Sequence, residues 1–153
     1  MVVSSFALGY FEHPERALLE FERVLTDDGR CALCVCDTWW FQGDAEWQWH
    51  EDLLVRIGAR LGYPRFPDED ALADALQSAN FQIDHLDTEI FPLELRNTDE
   101  WWRAGWSHGY RRVLGSLDPG SLDQYRAQCF ERLSRQTRIV GRLQVLVAAC
   151  HTR

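Results

Sequence analysis

The sequence contains no lysine: all 16 of its basic residues are arginine, and 24 acidic residues give it a formal net charge of −8. An acidic chain disfavours polyanionic partners, so we expect no nucleic acid to bind. Long apolar runs are also lacking, since residues 145–150 fall far short of the roughly 20 residues that a membrane-spanning helix needs. The first basic residue is Arg16, so the beginning of the chain lacks the charged leader of a secretory signal.

The cysteines are five in number, an odd count, and three of them lie between positions 31 and 36. This pattern does not predict a ladder of disulfides. Buried free thiols in a reducing compartment are the simplest interpretation, and they predict a cytoplasmic protein. On a strand, Cys34 and Cys36 would face one side and Cys31 the other, so we expect no metal site there.

The first third of the sequence predicts a strand, a helix and a second strand. Residues 2–8 are apolar and partly β-branched, and residues 14–25 carry apolar side chains at helical spacing after Pro14, which suits a first helical turn. Residues 31–36 are a continuous apolar run, typical of a strand that is covered on both faces. Short connections predict a right-handed βαβ unit with two parallel neighbouring strands.

The remaining sequence predicts further helices and two more strands. We expect a long strand over residues 82–95, with Pro92 marking an edge or a bend, and Ser121 as the cap of the last helix. The helices are predicted over residues 44–61, 68–78, 98–114 and 121–135, and the final strand over residues 142–150.

Several short motifs, taken in order, resemble the class I S-adenosylmethionine-dependent methyltransferases of the small-molecule type. The resemblance to strand four, its helix and strand five of that family is carried by VSSFAL at 3–8, RVL at 23–25 and DGR at 28–30. ANF at 79–81 is similar to the AGF that precedes strand six, TDEWW at 98–102 resembles the opening of the lid helices, and residues 141–149 resemble the last strand.

The resemblance implies a fold and a domain plan. The fold class is α/β, the C-terminal half of a Rossmann-like methyltransferase sheet with strand order 4-5-7-6, an antiparallel last strand and inserted lid helices. The chain would form a single partial domain in which residues 1–37 are the βαβ core. Residues 38–67 and 98–138 would be the lid, and residues 68–97 and 139–153 the rest of the core.

The sequence lacks one central feature of that family, a G-x-G run, which in a complete domain helps to hold the cofactor. Gly9 also stands where many relatives carry histidine. The resemblance therefore implies that S-adenosylmethionine is the cofactor, but that this chain alone binds it weakly or not at all. The strand over residues 2–8 would be an exposed apolar edge, so we expect a homodimer or a partner chain to cover it.

The implied function is that of the C-terminal portion of a small-molecule methyltransferase, supplying the substrate lid and part of the cofactor floor. Three accounts stay open. The chain is a fragment of a longer enzyme, or half of a split or dimeric assembly, or a non-methylating relative with a ligand-binding or cyclase-like pocket.

The resemblance also implies site residues. Phe6, Ala7 and Leu8 would form the cofactor floor. Independently of the resemblance, His50 and His108 lie beside tryptophans in the sequence and are the candidates for a general base, because imidazole titrates near neutral pH. The alternative is that they are polar surface residues. The residues expected to contact a small-molecule substrate are Tyr10, Asp37, Trp39, Trp40, Trp102 and Trp106. For the seven tryptophans, packing of the lid helices is the alternative to lining a pocket, and for Asp37 the alternative is a turn or a helix cap.

Overall fold

A computed structural model describes residues 1–36, 45–61, 66–107 and 110–152. The predicted βαβ unit is present as strand β1 (Val2–Ser5), helix α1 (Pro14–Val24) and strand β2 (Arg30–Cys36). β1 is shorter than predicted because Phe6 has φ of 54°, in the left-handed region, which an extended strand does not contain. A 3₁₀ turn, Leu8–Tyr10, follows it.

The predicted helix over residues 44–61 is a 3₁₀ turn, Ala45–Trp47, followed by helix α2 (Gln48–Arg56). Gly58 adopts φ of 81° just beyond the end of α2, a conformation that glycine adopts readily and that commonly terminates helices. Helix α3 (Glu69–Ser78) lies where it was predicted, with the Asp68 carboxylate accepting a hydrogen bond from Ala71 N at 2.8 Å.

Three more helices follow strand β3 (Phe81–Leu95), and they precede strand β4 (Ile139–Thr152). The helices are α4 (Thr98–Ser107), α5 (Arg111–Leu114) and α6 (Pro119–Leu133). The prediction that Ser121 caps α6 is wrong. Asp118 is the cap, and its carboxylate accepts hydrogen bonds from Gly120 N and Ser121 N at 3.0 and 3.1 Å.

The four strands form one sheet in the order β1-β2-β4-β3. β1 pairs with β2 in parallel and β2 pairs with β4 antiparallel, with Val3 opposite Ala32 and Cys31 opposite Cys150. This confirms the expected order and the antiparallel last strand. β3 lies at one edge of the sheet, which is where a strand that contains Pro92 is tolerated.

The chain divides into two compact units. Unit 1 comprises Met1–Thr38, Pro64–Ile90 and Gln144–Arg153, and unit 2 comprises Trp39–Tyr63 and Phe91–Leu143. Unit 1 carries five arginines against 14 acidic residues, whereas unit 2 carries 11 arginines against 10 acidic residues. The negative charge of the molecule is therefore concentrated in unit 1.

Unit 1 has its own core, in which α1 and α3 contribute the buried residues Leu18, Leu72 and Leu76. Along β2, Cys31 is buried in this core, while Cys34 and Cys36 are half-buried, as the alternation of strand side chains requires. All five cysteines are free. In the described ranges, no helix is long and apolar enough to cross a membrane, and no three metal-binding side chains come together.

Candidate functional site

The carboxyl end of β1 continues into a half-exposed aromatic segment, residues 6–11, which we term the β1 ledge. Phe6 and Tyr10 are 42% and 44% exposed, and Phe11, which sequence reasoning missed, is exposed to a similar degree. The ledge is held to the sheet by Phe6 N, which donates a hydrogen bond to Cys34 O at 2.8 Å. Two of the three residues predicted for the cofactor floor, Phe6 and Ala7, are thus on the surface, whereas the Leu8 side chain is buried in the core of unit 1.

Unit 2 contains a buried aromatic cluster with a histidine inside it. The rings of Trp47 and Trp101 stack with their centres 6.4 Å apart, and both meet the His50 ring edge-on. His50 is wholly buried, and its Nε2 lies 2.5 Å from the Tyr125 hydroxyl and 3.0 Å from the Tyr110 hydroxyl. The two hydroxyls are 3.2 Å apart. His50 Nδ1 has no hydrogen-bond partner within the part of the chain that the structure describes.

Burial keeps this cluster uncharged. It lowers the pKa of His50 to about 3, and it raises the pKa of both tyrosines well above their usual value. The pKa of the Cys129 thiol, which lies close to Tyr125, is raised by burial to about 12. A general base must reach the proton that it removes. His50 is enclosed by aromatic rings and neutral near pH 7 in this structure, and its role as a general base stays a prediction.

Of the tryptophans predicted to contact a substrate, Trp102 and Trp106 lie within the described ranges. Both are half-buried, and they pack together with their ring centres 5.9 Å apart. Trp102 also packs against Phe130, and the guanidinium of Arg126 lies 5.4 Å from the centre of the Trp102 ring. Packing of the helices thus accounts for these rings, and contact with a substrate stays a prediction. Other predicted site residues, Asp37, Trp39, Trp40 and His108, lie outside the described residues.

A groove with a volume of about 530 Å³ lies between α2 and α6, and we term it the α2–α6 groove. Its lining comprises Trp49, Asp52, Leu53, Arg56, Gln128, Glu131, Arg132 and Arg135. Sequence reasoning missed this groove. The available signal was the spacing i, i+3, i+4 and i+7, which places four lining residues on one face of α2. The same spacing places Gln128, Glu131 and Arg132 on one face of α6, and Arg135 lies just beyond the end of that helix.

Two solved structures align with nearly the whole chain. A Bacillus halodurans protein described as a candidate methyltransferase is 13% identical, and the alignment covers 98% of this chain and 68% of that one, with a TM-score of 0.55. The YcgJ protein from Bacillus subtilis is 16% identical, with coverage of 99% and 63% and a TM-score of 0.52. The chain has a class I methyltransferase-like fold. Neither a protein-family model nor a curated protein sequence matches it.

The methyltransferase-like fold, more than its exposure alone, makes the β1 ledge a candidate ligand-binding segment. In open α/β sheets, ligands bind outside the carboxyl ends of the parallel strands. β1 and β2 are the parallel pair of this sheet, and the ledge begins at the carboxyl end of β1. The ledge is therefore the described segment that best fits a ligand-binding edge.

Proposed function

We propose that this chain is the C-terminal portion of an S-adenosylmethionine-dependent small-molecule methyltransferase, supplying the substrate lid and part of the cofactor floor. The observation that carries the proposal is the sheet order β1-β2-β4-β3, with a parallel first pair and an antiparallel β4. Likeness of fold to the Bacillus halodurans structure supports it. The chain spans 68% and 63% of the two aligned structures, so the activity belongs to an assembly larger than the chain in this account.

The β1 ledge is the proposed cofactor floor. When bound, S-adenosylmethionine supplies an electrophilic methyl group on a positively charged sulfonium, and the face of an aromatic ring attracts such a charge. The half-exposed rings of Phe6 and Tyr10 are suited to that contact. The residues of this chain fit only part of the cofactor, because the sequence has no G-x-G run to cradle the rest.

The uncovered edge of β1 is the place where the remainder of the site would attach. β1 is the first strand in the sheet order, so its backbone groups on one side face away from the sheet. The Val3 side chain is 64% exposed. A second copy, a partner chain or a further segment of the same protein that pairs with this edge would complete the sheet and the cofactor site.

The proposed substrate is a small molecule held under the lid, with Tyr10 and the lid tryptophans as its aromatic contacts. His50 and His108 stay the proposed candidates for a general base. The enzyme would mainly align the acceptor atom with the methyl group and exclude water. The five free thiols support a reducing compartment such as the cytoplasm.

A methyl-transfer assay on the completed protein tests the proposal. The coding sequence upstream of Met1, or else a partner that purifies with the chain, supplies the missing strands, and transfer of a labelled methyl group to small-molecule acceptors is measured. Phe6→Ala and Tyr10→Ala should each slow transfer by roughly tenfold, because each removes an aromatic contact to the sulfonium.

Leu19→Ala is the matched control, because Leu19 is exposed to a similar degree but lies on α1 and not on the ledge. Its transfer rate should equal that of the unchanged protein. Absence of methyl transfer by the completed protein, or equal effects of the ledge and control substitutions, would refute the proposal. Ligand binding that ignores the cofactor would instead favour the non-methylating alternative.

A further inference from the structure

The α2–α6 groove has the volume of a small-molecule site. Its volume of about 530 Å³ lies within the range of roughly 300–1,000 Å³ that ligand pockets occupy. Both walls belong to unit 2, one from each helix. The groove shares no residue with the β1 ledge or with any residue predicted for cofactor or substrate, so the proposed function leaves it unexplained.

The charge of the groove runs against that of the molecule. Three arginines line it, Arg56, Arg132 and Arg135, against the two carboxylates Asp52 and Glu131. Arg135 Nη2 lies 3.9 Å from Glu131 Oε1, and the three arginines against two carboxylates leave the groove a net charge of +1, in a chain whose net charge is −8. Such an excess in a concave surface raises the local concentration of anions.

Two of these arginines are held in place by neighbours that leave donors available. The guanidinium carbon of Arg132 lies over the Trp49 ring, 4.5 Å from the ring centre, and a cation–π contact of this kind leaves N–H groups for an oxygen acceptor. Arg56 donates one hydrogen bond, from Nη2 to Gln128 Oε1 at 2.9 Å. A guanidinium has five N–H donors, and their fork matches the oxygens of a carboxylate or a phosphate.

The groove also offers apolar surface beside the arginines. The half-buried Trp49 ring lies in its lining and supplies most of this surface, since Leu53, which also lines the groove, is only 3% exposed. A flat apolar group would remove this surface from water. The combination favours a ligand with both an anionic and an apolar part over a simple inorganic ion.

We propose that the α2–α6 groove binds a small organic anion in which a carboxylate or phosphate is joined to a flat apolar body. Arg132 and Arg56 hold the anionic group, and the Trp49 ring contacts the apolar body. Glu131 and Asp52 lie beside the arginines and disfavour ligands with several negative charges.

Titration calorimetry with four probes tests this site on the chain as purified, without cofactor. Phenyl phosphate and benzoate carry both features, inorganic phosphate lacks the apolar body, and benzyl alcohol lacks the charge. We expect one equivalent of phenyl phosphate or benzoate to bind, more tightly than inorganic phosphate, and benzyl alcohol not to bind. The indole N–H resonance of Trp49, assigned with Trp49→Phe, should shift during the same titration.

Arg132→Met should weaken binding of the aryl anion about tenfold, because it removes the charge-assisted hydrogen bonds and keeps the side-chain length. Arg126→Met is the matched control, since Arg126 is also an exposed arginine of α6 that packs over aromatic rings, but it does not line the groove. The affinity of Arg126→Met for the aryl anion should equal that of the unchanged protein.

Several results would overturn the proposal. One is that neither phenyl phosphate nor benzoate binds. Another is that benzyl alcohol binds as tightly as these anions. The third is that Arg126→Met weakens binding as much as Arg132→Met, which would indicate general charge attraction. Arg56→Gln provides a second variant if Arg132→Met alters the melting temperature. Because no cofactor or methyl transfer enters the experiment, its failure and the failure of the proposed function are separate outcomes.

Discussion

Protonation of the buried His50 imidazole would lower the free energy of unfolding. Its pKa is lowered to about 3 by burial, whereas an unfolded histidine titrates near 6.5, so protons bind the unfolded chain preferentially between these values. The stabilisation is therefore complete above about pH 6.5 and decreases as the pH falls. The described groups that contact the His50 ring are uncharged: the hydroxyls of Tyr110 and Tyr125 and the rings of Trp47 and Trp101.

We predict that lowering the pH from 7 to 5 reduces the free energy of unfolding by about 2 kcal/mol through His50. Urea titrations at both pH values measure it. A His50→Gln variant should lose most of this pH dependence, whereas His13→Gln should keep it, because His13 is exposed on the surface beside Glu15. If the free energy of unfolding of His50→Gln falls between pH 7 and pH 5 as much as that of the unchanged protein, the burial of a neutral imidazole is contradicted.

Gly29 is a residue at which no side chain fits without movement of the backbone. A Cβ atom at this position would lie 2.6 Å from Thr26 O and 2.7 Å from Leu25 Cβ, so backbone would have to move. We predict that Gly29→Ala lowers the free energy of unfolding by about 1–3 kcal/mol in chemical denaturation. At Gly9 nothing lies within 4 Å of the added atom. Gly9→Ala should stay within about 0.5 kcal/mol of the unchanged protein, and equal losses would contradict this account.

At the scale of elements, local patterns predicted most of the helices and strands, and several boundaries were wrong, two of them for reasons that the sequence itself contains. Both Asp and Ser are good helix caps, but Asp118 directly precedes Pro119, and proline favours the first helical position. That signal identifies Asp118 as the cap of α6. Likewise, Gly58 is a stop signal for α2 that the apolar spacing over residues 44–61 concealed.

The cap of α6 gives an element-level prediction. Asp118→Ala should lower the melting temperature by roughly 2–4 °C, because it removes the acceptor for two backbone N–H groups at the helix start. Ser121→Ala removes only an exposed hydroxyl that donates to Asp118 and should lower the melting temperature by less. Thermal melts of the two variants compare them. A larger loss for Ser121→Ala would restore the sequence-based prediction.

The candidate site was less predictable than the fold. The hydroxyls that meet His50 are 60 and 75 residues away in the sequence, so no local pattern shows that this histidine is enclosed. The α2–α6 groove likewise joins two helices that are distant in sequence, and each face alone resembles an ordinary solvated helix surface. By contrast, the β1 ledge follows directly from a strand that the sequence predicted.

At the scale of the whole molecule, the account requires that β1 be covered in the active species. Val3 of β1 and Val24 of α1 are 64% and 59% exposed, so lysine is sterically acceptable at either place in the chain alone. A charged side chain on a strand edge opposes pairing with another strand. Val3→Lys should therefore abolish cofactor binding by the completed assembly, and Val24→Lys should leave it intact.

The most direct measurement is calorimetric titration of S-adenosylhomocysteine into two purified species, the chain alone and the completed protein, with the mass of each determined by light scattering in the same buffer. The account predicts that binding occurs only in species heavier than the 17.8 kDa chain, and that Val3→Lys removes it while Val24→Lys does not. Tight binding by the 17.8 kDa monomer, or binding by no species at all, would contradict the proposal that this chain is one part of a methyltransferase.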